Sequence, residues 1–319
     1  MKFSPLALAA VPASASCLRV ETFINGGASL DMVSSLVIGS EAAVLIDMPL
    51  AVPQAQALAA WVANTTDKPL IAAFTTHFHP DHYLSGAALF AHFPDTKYYA
   101  SSKSVAHIEN EAATQIEAWG GILGADNVPS TPVLPSPYDF TFFTLPGDED
   151  APIHLLSPLV GDTVDETMFW IPSVETLIAG DTVFSQDMHL WLSDLVNVEL
   201  TESWISTLDY IDHLHPRRVI PGHAAAAQSF RNATSVQHSR DYLNFFKDEV
   251  QNKGVDAFTP QELYAMFNEQ FPGILSENSA MILNISSENF GKGGAKREHY
   301  FDLEAYNSTA ELQGWNLGA

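Results

Sequence analysis

The sequence predicts an α/β fold in which two strand-rich halves pack sheet against sheet with helices on the outside. Three observations point to it. Short apolar runs rich in β-branched and aromatic residues alternate with helical patterns, each half closes on a helix and a strand, and no low-complexity linker divides the chain.

Residues 18–24, 33–38, 42–47 and 70–75 are short runs bounded by Gly, Asp or Pro and read as strands, with a first helix over 53–63. A polar, His-rich loop follows Thr75, then a helix over 83–92, a strand over 97–100 and a helix over 102–119. The Pro- and Gly-rich stretch 120–137 leads to further strands at 140–144, 153–159, 167–171 and 176–179. Trp204, Leu208, Ile211 and Leu214 recur at helical spacing ahead of a strand over 218–220. Beyond His223, helices are expected over 239–251 and 260–271, then an irregular Gly-rich tail around 290–294. The expected organisation is one domain over 16–224 and a C-terminal extension, 225–319, packed on it.

Charge narrows the partners. Fourteen Lys and Arg against 38 Asp and Glu give a net charge of −24, which repels phosphate backbones and anionic lipid. Nucleic acid and membrane partners are therefore disfavoured, and a neutral or cationic small-molecule substrate fits better. No run reaches the roughly 18 apolar residues that a bilayer crossing needs. Hydrophobic residues make up 46% of the chain, enough for a sizeable core. Cys17 is the only cysteine, so any metal must be held by imidazole and carboxylate.

At the N-terminus, Lys2, an apolar stretch over 5–13 and Ala13-Ser14-Ala15 read as a secretory signal over 1–15, cleaved after Ala15. N-x-S/T sequons at Asn64, Asn232, Asn284 and Asn307 agree with a secreted glycoprotein.

The chemistry concentrates in Thr75 to His82, T-T-H-F-H-P-D-H. His77 and His79 stand two apart at the end of an apolar strand, so in extended backbone both side chains leave on one side and reach one ion. Asp81 and His82 follow Pro80 in a tight turn and suit a second ion close by, since four ligands at this spacing crowd a single tetrahedral centre.

The string His77-Phe78-His79-Pro80-Asp81-His82 resembles the signature of the metallo-β-lactamase-fold superfamily. Downstream landmarks agree in order: Gly161-Asp162-Thr163 where that superfamily has G-H-T, Gly180-Asp181 after a strand, and Pro221-Gly222-His223 after another. The resemblance covers 18–223 and implies a four-layer αβ/βα sandwich, followed here by a helical C-terminal extension. It implies metal 1 on His77, His79 and Asp162, metal 2 on Asp81, His82 and His223, and Asp181 bridging the two. Asp162 departs from the family pattern. A carboxylate there hardens the site and raises its affinity for manganese or iron relative to an all-imidazole set; zinc is expected first, with manganese or iron as alternatives. The competing reading makes Asp162 a turn residue, with His154 as a substitute ligand.

Two divalent ions would generate hydroxide at neutral pH for attack on a carbonyl carbon, with Asp81 as the catalytic residue that orients it or moves a proton. The expected activity is that of a metallo-hydrolase acting on a lactone or lactam. Tyr83, Met188 and Trp191 are candidate substrate contacts. The alternatives are a mononuclear iron oxygenase of the persulfide dioxygenase type and a non-catalytic metal-binding relative.

Overall fold

Three strands open the described residues as an antiparallel meander: β1 (Arg19–Asn25), β2 (Met32–Ile38) and β3 (Ala43–Ile46). The computed structural model describes residues 18–231, 234–254 and 256–296. The expected signal over 1–15, Cys17, and the sequons at Asn232 and Asn307 lie outside them. Helix α1 (Val52–Thr65), with Pro53 in its first turn where no N–H is needed, crosses to β4 (Leu70–Phe74), parallel to β3. The short α2 (Gly86–Phe90), β5 (Lys97–Ala100), α3 (Ser102–Leu123) and β6 (Ser136–Pro137) complete this half.

The second half is antiparallel through β7 (Phe142–Phe143), β8 (Ile153–Leu159), β9 (Glu166–Ile171) and β10 (Thr176–Phe184). Helix α4 (Val198–Leu214) then returns the chain to β11 (Arg218–His223), parallel to β10. Every residue of β2 and β10 is buried, which accounts for their near-continuous apolar runs.

Among the described residues the eleven strands belong to one hydrogen-bonded sheet, ordered β6-β5-β4-β3-β2-β11-β10-β9-β8-β7 with β1 beside β2. In a flat sheet β4 and β9, five strands apart, would be separated by about 24 Å. Instead the Phe74 ring of β4 lies 5.5 Å from Phe169 of β9 and 5.1 Å from Phe143 of β7. The sheet therefore curls back on itself at the β2–β11 junction, where the single register pair is His223 with Met32. Val33, Val44, Phe74, Phe169, Ile178 and Ile220 fill the space between the facing halves. A second core, including Leu45, Leu58, Ile108, Trp204 and Leu208, lies beneath the helices. The two expected layers are thus halves of one curled sheet, with helices outside.

Three helices follow the sheet: α5 (Thr234–Glu249), α6 (Pro260–Gln270) and α7 (Glu277–Phe290). Tyr242, Phe246, Leu263, Phe267, Ile282 and Leu283 share the core of Trp204, so these helices pack on the same body. Helix α7 occupies a stretch for which the pattern predicts no helix. It carries Ser279, Ser286, Ser287, Asn278, Asn284 and Asn289, residue types that favour caps and turns over helix interiors. The helix expected over 83–92 is also shorter, because Pro80–His82 forms a 3₁₀ turn ahead of α2. Among the described residues no helix is long and apolar enough to cross a membrane.

Candidate metal centre

The loop after β4 carries His77, His79, Asp81 and His82, all buried. Thr75 Oγ1 donates to the carbonyls of His77 at 3.0 Å and His82 at 3.1 Å, tying the two ends of the loop together. Asp162 comes from the β8–β9 connection, Asp181 from within β10 and His223 from the end of β11. These seven residues converge as two donor groups, His77–His79–Asp162–Asp181 and Asp81–His82–His223, each with its ligand atoms within 4.8 Å of one another. Asp162 is thus a member of the site. His154 packs beside Phe142 on the far side of the second half-sheet and is no substitute.

Two glycines shape this convergence. Gly180, at φ +55°, sits so close to Thr76 that a Cβ would fall 2.9 Å from the threonine Cβ. Gly222 leaves room for Asp181, whose carboxylate a Cβ at 222 would overlap.

Three of the four imidazoles have one nitrogen held by a hydrogen bond and the other turned inward, while His82 Nδ1 faces Asp47. Thr76 Oγ1 donates its single proton to Asp47, at 3.0–3.1 Å, so it must accept from His77 Nδ1 at 2.9 Å and leave His77 Nε2 bare. His79 Nε2 donates to Asp194 Oδ2 at 2.8 Å, leaving Nδ1 bare 3.1 Å from Asp162 Oδ2. His223 Nδ1 donates to the Leu30 carbonyl at 2.8 Å, and His82 Nδ1 lies 3.0 Å from Asp47 Oδ2. The Nε2 atoms of His82 and His223 face one another at 3.3 Å, each 3.2 Å from an Asp181 oxygen, and His223 Nε2 is also 3.3 Å from Asp81 Oδ2.

This arrangement fits metal cations. Ring lone pairs confront carboxylate lone pairs, which repel unless a positive charge lies between them. His77 Nε2, Asp162 Oδ1 and Asp181 Oδ1 are buried with no hydrogen-bond partner. The donor set is imidazole and carboxylate throughout, suited to divalent zinc, manganese or iron.

Electrostatics carry the same signature. Burial disfavours a charged His79, yet Asp162 and Asp194 outweigh it and hold its pKa well above the ordinary value. Burial likewise opposes charge on His223, but Asp181 and Asp81 raise its pKa to about 10. His77, buried beside His82 and His79, is lowered instead. Burial raises the Asp162 carboxyl to about 7 despite His79, and burial and Asp162 together raise Glu166.

Sequence reasoning missed the groups that hold the rings. Asp47 ends an apolar strand, a position that could have marked it. Asp194 and the Leu30 carbonyl leave no local signal. Glu166, fully buried with Oε2 3.5 Å from His77 Nδ1, is one acidic residue among 38.

Above the donor atoms a narrow pocket opens to solvent, floored by His79, Asp81, Asp162, Asp181 and His223 and walled by Leu30, Trp119, Phe184, Trp191 and Ile282. Trp191 stands in this wall. Tyr83 and Met188 do not line the pocket: both are buried in the main core, Met188 because the chain turns inward there on its hydrogen bond to the Ser185 carbonyl.

Residues 28–223, more than half of the chain, match the profile of the metallo-beta-lactamase superfamily. The chain belongs to this superfamily. Metallo-beta-lactamase IND-1 of Chryseobacterium indologenes is 22% identical over 225 residues, covering 69% of this chain and 82% of that protein. Among solved structures, TMB-1 aligns with a TM-score of 0.49 and 17% identity over 74% of this chain and 96% of its own. A metallo-beta-lactamase from Pontibacter korlensis gives 0.47 and 17% over 73% and 96%. As a superfamily member with both donor groups present, the protein is a metal-dependent hydrolase of the metallo-β-lactamase fold. The superfamily match ends at His223, so α5 to α7 lie beyond it.

Proposed function

We propose that the protein opens a small, neutral or cationic carbonyl compound, a lactone or lactam, at a centre of two divalent ions, with zinc the first candidate. The observation that carries this reading is the pocket: seven converging donors beneath a wall of Leu30, Trp119, Phe184, Trp191 and Ile282, with no Lys or Arg among its described lining residues. An anionic substrate would meet no countercharge on that wall and would be repelled by a net charge of −24.

Divalent ions held by these donors would supply Lewis acidity and hydroxide at neutral pH. The chain does the rest. Asp181 spans the two donor groups, one oxygen toward His82 and the other toward His223. Asp81 lines the pocket as an ionised acceptor: burial disfavours its charge, but His223 and His82 hold its pKa well below the carboxylate range. It is placed to orient the attacking water. The tryptophan rings exclude bulk water and offer flat apolar faces to the rest of the substrate.

We assign this activity to the extracellular space. The signal-like N-terminus supports it, as do the exposed sequon residues Asn64 and Asn284.

A second reading rests on one observation. His77, His79 and Asp162 form a two-His, one-carboxylate set, the donor pattern of non-haem iron oxygenases. The intact second group, Asp81, His82 and His223, favours hydrolysis. Purified protein with two equivalents of Zn²⁺ or Mn²⁺ should open at least one lactone or lactam, and chelation should abolish turnover. Inactivity across ester, thioester, lactone and lactam panels overturns the hydrolase reading. One tightly held iron with oxygen consumption would establish the oxygenase instead, and two bound ions without any turnover would leave a metal-binding protein.

A further inference from the structure

We infer that α7, outside the superfamily match, is a working part of the metal centre: its side chains fix the two acceptors that orient His79 and His223, one in each donor group. This rests on the two-metal reading above.

The first arm runs to His79. Between Met188 and α4 the chain has no regular structure, so its backbone polar groups need partners from elsewhere. Helix α7 supplies them. Ser279 Oγ accepts from His189 N at 2.6 Å, Ser286 Oγ accepts from Leu192 N at 3.2 Å, and Asn289 Nδ2 donates to the Ser193 carbonyl at 3.0 Å. The next residue is Asp194, whose Oδ2 takes the His79 Nε2 proton at 2.8 Å. A hydrogen bond on that nitrogen fixes the tautomer and the ring angle of Nδ1, the atom that faces Asp162.

The second arm runs to His223. Leu30 and Asp31 are consecutive non-glycine residues in the left-handed region, at φ 59° and 62°, a conformation that persists only under external restraint. The restraint comes from the start of α7. Ser276 Oγ donates to Asp31 Oδ2 at 2.6 Å and Asn278 Nδ2 donates to Asp31 Oδ1 at 2.9 Å. Held this way, the Leu30 carbonyl accepts from His223 Nδ1 and the Asp31 carbonyl accepts from Ala224 N at 3.0 Å.

This accounts for part of the composition of α7. Serine and asparagine weaken it as a helix, but Asn278, Ser279, Ser286 and Asn289 are the donors and acceptors that an irregular loop and a strained turn require.

The two arms make separable predictions, testable on apo protein by competition with a chromophoric zinc chelator. Asn289→Ala should weaken one of the two zinc-binding events about tenfold and Asn278→Ala the other, while Asn284→Ala, on the exposed face, leaves both unchanged. Asp194→Ala should weaken the same event as Asn289→Ala, and the double variant should lose little more than Asp194→Ala alone, because both act through one ring. Where Asn289→Ala does not fold, Ser286→Ala replaces it. Wild-type affinities at both sites in the folded α7 variants overturn the inference, as does an equal loss at both sites from either variant. If wild-type protein itself fails to bind two ions, the hydrolase reading fails, an outcome distinct from wild-type binding that α7 variants do not disturb.

Discussion

Gly222 and the Asp181 carboxylate occupy adjoining space so tightly that a single methyl group at 222 would overlap Oδ1 of the aspartate. The close approach lets β10 and β11 pair in parallel while Asp181 reaches both His82 and His223.

Gly222→Ala should therefore displace Asp181 from both donor groups. The expected result is loss of both bound ions, seen as zinc stoichiometry near zero by elemental analysis, with destabilisation of about 1–3 kcal/mol from overpacking. A variant that keeps two ions would show that Asp181 holds neither.

Asp162 decides the character of the first donor group. Asp162→Ala should remove one ion and lower kcat/KM at least a hundredfold, while Asp162→His should keep two ions and shift preference from Mn²⁺ toward Zn²⁺. Competition between the two metals, followed by mass spectrometry of the native protein, measures this. Unchanged preference in Asp162→His would contradict the role of the carboxylate.

The pocket wall sets the substrate. Trp191→Ala should raise KM for an apolar lactone about tenfold and leave the zinc stoichiometry at its wild-type value, because the ring lines the pocket without belonging to either donor group. A fall in kcat with KM unchanged would move Trp191 out of substrate binding.

His189 gives a pH dependence of stability. Burial, reinforced by the neighbouring His238, lowers its pKa from 6.5 to about 4, and its Nδ1 lies 3.1 Å from Tyr242 Oη in the packing between the 188–190 segment and α5. The unfolded chain therefore binds the proton more readily than the folded one. Its contribution is complete above about pH 6.5 and is lost as pH falls toward 4, by at most about 3 kcal/mol. His189→Gln should flatten the fall of Tm between pH 6.5 and 4 relative to wild type. Parallel Tm curves would show that His189 does not carry it.

Much of the centre was legible because its ligands sit in short strings at strand ends. His77 to His82 is contiguous, and Gly180-Asp181 and Pro221-Gly222-His223 each follow an apolar run, so period and punctuation reveal them. Local pattern also gave β5 and β8 to the residue. Asp194 and the Leu30 carbonyl were invisible because their roles depend on α7, more than eighty residues away from the first and far beyond the second, and α7 itself is written in residues that argue against a helix. Tyr83 and Met188 misled for the opposite reason. Closeness in sequence to His82 and Asp181 suggested closeness to substrate, whereas the 3₁₀ turn and the turn at Ser185 direct both side chains into the core.

The curl of the sheet hinges on one backbone pairing, Met32 with His223, yet four ligands come from one side of that hinge and three from the other. A cation held by either donor group would consequently act as a clasp between two halves that the main chain barely joins there. An ion supplied at a thousand times its dissociation constant adds about 4 kcal/mol to a folded protein. Metal loading should slow amide exchange most at Met32 and Ala224, so ions bound here would also set how often the molecule opens.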